Sequence, residues 1–207
     1  MKTDALSIKI LYWLINIILG LFSLVIVAVI VFNILLYTNY FDDSMQLHVL
    51  LPVKVSFIET GLLHLNSQNI KVELVEAISK IHFFDTPNFI TRKAGFILFL
   101  IVSLTAYFLW VFRLFVKNVK NGIVFTIKNI KHIKTLSYLL LGFWLVLIVY
   151  ARLVYYYIVT NMHFENIQIT NDYQNYSGVL LAALLVWVIA HIFGVGLKLQ
   201  QDNDLTI

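Results

Sequence analysis

Few residues in this chain have a type and setting that could do chemistry, and the first is Arg152, which lies inside an apolar run that holds no acidic residue. A guanidinium in such a setting is stabilised by snorkelling to the headgroups, by a polar neighbour, or by a bound anion. Arg152 stands six residues before the end of its run, within snorkelling reach. Asn33, at similar depth in the first apolar run, is the polar neighbour the pattern offers, and the two form a candidate ligand or polar intramembrane site. His191 and Asn16 share a depth near the opposite face; a histidine there is most simply a packed, hydrogen-bonded residue. The histidines (His48, His64, His82, His132, His163, His191) have no HExxH spacing and no carboxylate at ligand distance, so no metal site is expected. The absence of cysteine removes thiolate ligands, thiol nucleophiles and disulfides. No GxSxG, P-loop or acid-followed GxGxxG occurs, and no apolar run carries the carboxylate pair of intramembrane hydrolases or proton-coupled transporters. The expectation is a non-enzymatic protein without a cofactor.

The second group of reactive side chains is cationic. Residues 117–134 hold five lysines and no acid, between two long apolar segments. Thr126 is placed to N-cap a helix running through Lys134, and Gly122 supplies the turn before it. Ile127, Ile130 and Ile133 recur in threes, opposed by Lys128, Lys131 and Lys134. That division predicts a basic amphipathic helix within 117–135 that lies on the membrane surface, each lysine worth about 1 kcal/mol near anionic headgroups. The same lysines suit an acidic cytosolic partner. Direct nucleic-acid binding is not expected, since no arginine and no base-reading motif accompanies them.

The elements that must position these residues follow from composition. With 60% apolar and 13% charged residues, and a mean hydropathy of +0.86, the chain carries more apolar surface than a soluble core of its length can hide. Four spans are predicted, at 10–36, 94–112, 136–158 and 178–197. A short lysine-only loop stays on the cytoplasmic side, which places both termini inside and 38–93 and 159–177 outside. The 159–177 loop has no Lys or Arg, and Tyr12, Trp13, Trp110, Tyr138, Tyr37, Tyr40 and Tyr155, Tyr156 and Tyr157 fall near span ends as an aromatic belt requires. Within 38–93, alternation over 48–57 and 70–76 predicts two strands with turns at Thr60–Gly61 and 66–69, and the 159–177 loop offers a further strand. Gly20, Gly142, Gly194 and Gly196 are candidates for close helix approach. The expected fold is an integral membrane, mainly α protein: a four-helix transmembrane bundle with a small extracytoplasmic β-rich cap.

Two stretches carry a resemblance. The ending Ile192–Phe193, Gly196 and Leu199 through Asp202, Asp204, Leu205 and Ile207 is similar to that of an uncharacterised bacterial membrane family, domain of unknown function 2975. The stretch Asn121, Gly122, Ile123, Val124, Phe125, Thr126 and Asn129 resembles that family's Gly-x-Pro-Phe … Asn turn between the second and third spans. The likeness extends over essentially the whole chain and its four-span layout, with Val124 where the family has proline and Leu136–Ser137 where a glycine is common. The motif residues are Gly122, Phe125, Asn129 and Gly196.

The resemblance implies a location in the bacterial cytoplasmic membrane and a link to a small helix-turn-helix transcription regulator, because members are often encoded beside one. The expected function is therefore a membrane sensor or regulatory partner of such a regulator. Its docking residues would be Lys128, Lys131 and Lys134 together with Asp202, Asp204, Leu205 and Ile207. The alternative is a small transporter or immunity-type exporter subunit that binds an anionic or amphipathic ligand at Arg152. The lipid bilayer is a partner in either reading, and a homo-oligomer is compatible with both.

Overall fold

The computed structural model describes residues 6–38, 40, 50–65, 68–82, 88–163, 168–169 and 175–204. Its elements run α1 (Leu6–Tyr37), β1 (Leu50–Leu65), β2 (Gln68–His82), α2 (Asn88–Lys120), α3 (Ile127–Asn161), β3 (Gln168–Ile169) and α4 (Ser177–Asp204). All four helices are long and apolar enough to cross a bilayer. The shortest has 28 residues, about 42 Å at 1.5 Å per residue, and so outruns a hydrocarbon core of about 30 Å. Leu21, Leu24, Leu145, Leu153, Leu181 and Leu185 are exposed on these helices. Such side chains are stable against lipid, and helices satisfy their own backbone there. The chain is a multi-span membrane protein.

Two compact units divide it. The first comprises Met1–Tyr40, Arg92–Val146 and Tyr176–Ile207; the second comprises Phe41–Thr91 and Leu147–Asn175. In the first unit α1 and α2 meet closely at Gly95, where an added methyl would fall 2.8 Å from Asn33 Oδ1 and 2.9 Å from Leu36 Cδ1. Asn33 donates to the Val29 carbonyl one turn back (2.9 Å). Helices α3 and α4 cross at Ser137, whose hydroxyl donates to the Ala183 carbonyl (2.8 Å), with both residues fully buried. A small residue at 137 is what lets the two backbones approach. Of the glycines expected at helix contacts, Gly196 packs instead against the Phe125 ring of the segment between α2 and α3, whereas Gly20, Gly142 and Gly194 have nothing within 4 Å of an added Cβ.

The basic segment differs from its sequence pattern. Thr126 caps the helix as expected, its Oγ1 accepting from the Asn129 N–H (3.3 Å), but the helix does not stop at Lys134 and runs unbroken to Asn161. No Gly or Pro separates Lys134 from Ser137, so nothing ends it. Its buried stripe is Asn129, Ile133, Leu136 and Ser137, at i, i+4, i+7 and i+8, while Ile127 is exposed. The first turns of α3 thus pack into the first unit instead of forming a separate surface helix.

In the second unit the sheet order is β2-β1-β3. β1 and β2 form one long antiparallel hairpin, and Val55 and Ser56 pair with Ile169 and Gln168, so the 159–177 loop does add a strand. Thr60 and Gly61 do not turn; they pair with Glu73 and Val72 in mid-strand. A bulge between Ser56 and Glu59 breaks the alternation of β1 without ending the strand, which is why the sequence pattern suggests a turn there. Val55 pairs with Ala77, an odd position of β2, whereas Ile70, Val72 and Leu74 occupy even ones. The two apolar stripes therefore lie on opposite faces. Val55 is buried, and Ile70, Val72 and Leu74 are exposed. Lys54 and Glu76 form an ion pair (3.0 Å), and His64 hydrogen-bonds Asn69 directly opposite it. Residues 48, 49, 164 and 167, also expected in strands or on their faces, lie outside the described residues.

Candidate functional site

The α2–α3 turn is built from two helix ends. Helix α2 terminates in a Schellman arrangement: the Ile123 N–H donates to the Asn118 carbonyl (3.0 Å) and the Gly122 N–H to the Val119 carbonyl (3.0 Å). Gly122 has φ 78°, in the left-handed region that favours glycine, so the turn expected there from sequence is present for a definite steric reason. The chain then re-enters a helix at Thr126.

Asn129 ties the turn together from within α3. Its side chain is completely buried, and its amide NH2 donates to the carbonyls of Ile123 (2.7 Å) and Val124 (2.8 Å). Its Oδ1 accepts from the Asn118 amide (2.7 Å). Every hydrogen-bonding direction of this amide except one acceptor lone pair is used, which is what a buried polar side chain needs.

Phe125 joins the turn to α4. Its ring is 5.3 Å from that of Phe193, which in turn meets Phe115 of α2 at 5.9 Å in an edge-on arrangement. The same ring covers Gly196, where a Cβ would come within 2.7 Å of Phe125 Cε1. Gly122, Phe125, Asn129 and Gly196, scattered over the sequence, thus form one packed knot. Phe193, part of the ending that carries the resemblance, completes it together with Asn118, which has no sequence signal of its own.

The charges sit at this end of the first unit. Lys128, Lys131 and Lys134 are exposed on the first turns of α3, and Lys117 on the last turns of α2. Helix α4 passes the expected span end at Leu197 and runs to Asp204, so Asp202 is helical, exposed, and six residues beyond Gly196. Lys128, in the first turn of α3, and Asp202, in the last turn of α4 where no basic residue is found, oppose their helix dipoles, whereas Lys117, in the last turn of α2, complements its own. Leu205 and Ile207 lie outside the described residues, as does the side chain of Asp204.

A second polar cluster joins α1 to α2 near the same end. Arg113 Nε donates to Asn16 Oδ1 (2.6 Å), Arg113 Nη2 lies 3.5 Å from the Tyr12 hydroxyl, and Asn16 also donates to the Tyr12 carbonyl (2.6 Å). The Tyr12 ring carries two cations, the Arg113 guanidinium at 5.8 Å and the Lys120 ammonium at 4.5 Å from its centroid. From sequence Arg113 reads only as the residue closing a span, and Asn16 only as a polar group of matching depth to His191.

The pair singled out by depth falls in different units. Asn33, in the first, makes the Val29 and Gly95 contacts described above. Arg152, in the second, is exposed on α3. His191 is exposed on α4.

Four apolar helices define the class, a multi-span membrane protein. Residues 72–207 match the family described as Protein of unknown function (DUF2975), and the chain belongs to that family. The match begins within β2, so it covers the whole of the turn and the α4 contacts, while α1 and β1 precede it. No curated protein and no solved structure matches the chain.

Proposed function

We propose that this chain is a non-enzymatic regulatory protein of the bacterial cytoplasmic membrane, with both termini cytosolic. In this reading the basic α2–α3 turn and the acidic end of α4 form one docking face for a small cytosolic helix-turn-helix regulator. The lysine-only loop supports the orientation, because such loops are retained on the cytosolic side.

The observation that carries the reading is the placement of Asp202. Asp202 is an exposed acid in the last turn of α4, a position that the helix dipole disfavours by about 0.3–1 kcal/mol. It lies less than two turns beyond Gly196, against which Phe125 fixes the basic turn. A face carrying both signs of charge on a packed knot suits recognition of a partner by complementary charge. The bare tail of a membrane protein has no such requirement.

The test is affinity capture from gently solubilised native membranes, with mass spectrometry, comparing the full chain with a chain truncated after Gln201. A helix-turn-helix protein recovered with the full chain and lost on truncation is the expected result. Recovery of no cytosolic protein by either chain removes the regulatory reading in its stable-complex form.

A further inference from the structure

Arg113 is a half-buried arginine near the end of a span, held by Asn16 and Tyr12 of the neighbouring helix. These two contacts occupy two of the five N–H groups of its guanidinium, leaving three. Lys120, two turns further along α2, reaches the same Tyr12 ring. Among the described residues no carboxylate meets either cation. Two positive charges gathered at one tyrosine attract an anion, and the geometry of a guanidinium favours the paired oxygens of a phosphate.

The depth agrees. At the other end of α2, Arg92 Nε donates to the Leu36 carbonyl (3.3 Å) and its guanidinium lies over the Tyr37 ring (5.6 Å), so α2 grips both ends of α1 with an arginine and a tyrosine. Arg92 and Arg113 are separated by 21 residues, about 31 Å of helix. That is the thickness of the hydrocarbon core, about 30 Å, which puts Arg113 at the level where lipid phosphates begin.

We propose that Arg113 and Lys120, positioned by Asn16 and Tyr12, bind the phosphate of an anionic phospholipid at the end of the bundle that carries the α2–α3 turn. This site is independent of the docking face: it is made by α1 and α2, and its lysine is not one of Lys128, Lys131 and Lys134.

The experiment is native mass spectrometry of the full chain released from nanodiscs of mixed phosphatidylglycerol and phosphatidylcholine. The wild-type chain is expected to retain one phosphatidylglycerol in preference to phosphatidylcholine. Arg113→Gln and Lys120→Gln each reduce that preference roughly fivefold, the loss expected for one cation near a membrane surface. Lys128→Gln leaves it unchanged. Arg113→Lys keeps the charge but loses the fork, and falls between wild type and Arg113→Gln. Lys120→Gln removes only the half-buried ammonium's contact with the Tyr12 ring and keeps the test valid if Arg113→Gln does not fold. Equal retention of the two lipids by the wild type, or an equal loss in Lys128→Gln, overturns the proposal. So does a chain that binds inorganic phosphate at Arg113 while showing no preference between the lipids, because the ligand is then free phosphate.

Discussion

The Phe125 ring lies so close to Gly196 that a methyl group added to the glycine would fall 2.7 Å from Cε1 and 2.8 Å from Cδ1 of the ring. The ring is also set against Phe193, so turning it outward loses that aromatic contact. Gly196→Ala should therefore destabilise the protein by about 1–3 kcal/mol, the usual cost of overpacking. The penalty should largely vanish in a Phe125→Leu background, where the ring atoms are absent. Thermal unfolding in detergent of the two single variants and the double variant gives the coupling directly.

The other glycines separate cleanly. Gly95→Ala meets Asn33 and Leu36 at under 3.0 Å and should be destabilising by a similar amount, about 1–3 kcal/mol. Gly142→Ala and Gly194→Ala meet nothing and should be neutral or stabilising by up to about 1 kcal/mol through helix propensity. The same unfolding assay on the three variants checks the contrast. An equal loss at all three positions would contradict the assignment of Gly95 to a helix contact.

Asn129 should be among the least replaceable residues of the turn. Asn129→Ala leaves the Ile123 and Val124 carbonyls and the Asn118 amide without their buried partner, at a cost of about 2–4 kcal/mol. Asn129→Asp should be no better, because an ionised carboxylate has no N–H to give to two carbonyl oxygens. Hydrogen exchange at the amides of residues 122–126 should accelerate in both variants while the middle of α1 is unchanged.

How far the sequence foretells this arrangement depends on the range of the interaction. The Gly122 turn, the Thr126 cap and the four spans are written locally, in φ preference, side-chain capping and runs of apolar residues, and each is present. The end of the basic helix is not, because the threefold spacing of Ile127, Ile130 and Ile133 suggests an apolar face, whereas the buried positions are set by what α3 packs against. The bulge at Ser56 likewise hides in the sequence, since it changes the face without changing residue types. Of the candidate site, Gly122 is legible as a turn and Gly196 as a small residue suited to close packing, whereas Phe125 and Asn129 are legible only as a resemblance. That Phe125 finds Gly196, or that Arg113 finds Asn16, is a contact across 71 or 97 positions, and no local pattern encodes it.

Membrane orientation is directly measurable because the chain has no cysteine of its own. Single variants Lys131→Cys and Asp202→Cys should both resist a membrane-impermeant maleimide in intact cells and react after permeabilisation. Glu73→Cys, on the exposed hairpin, should react in intact cells. Labelling of Lys131→Cys and Asp202→Cys from opposite sides would rule out a shared docking face.

The most direct test of that face is crosslinking in living cells from a photoreactive amino acid placed at Lys131 or at Asp202. The account predicts that both positions capture the same small helix-turn-helix protein, and that a probe at Glu73 captures none of it. Adducts to different proteins from the two positions, or none to a regulator from either, would contradict the claim that the α2–α3 turn and the end of α4 act as one docking surface.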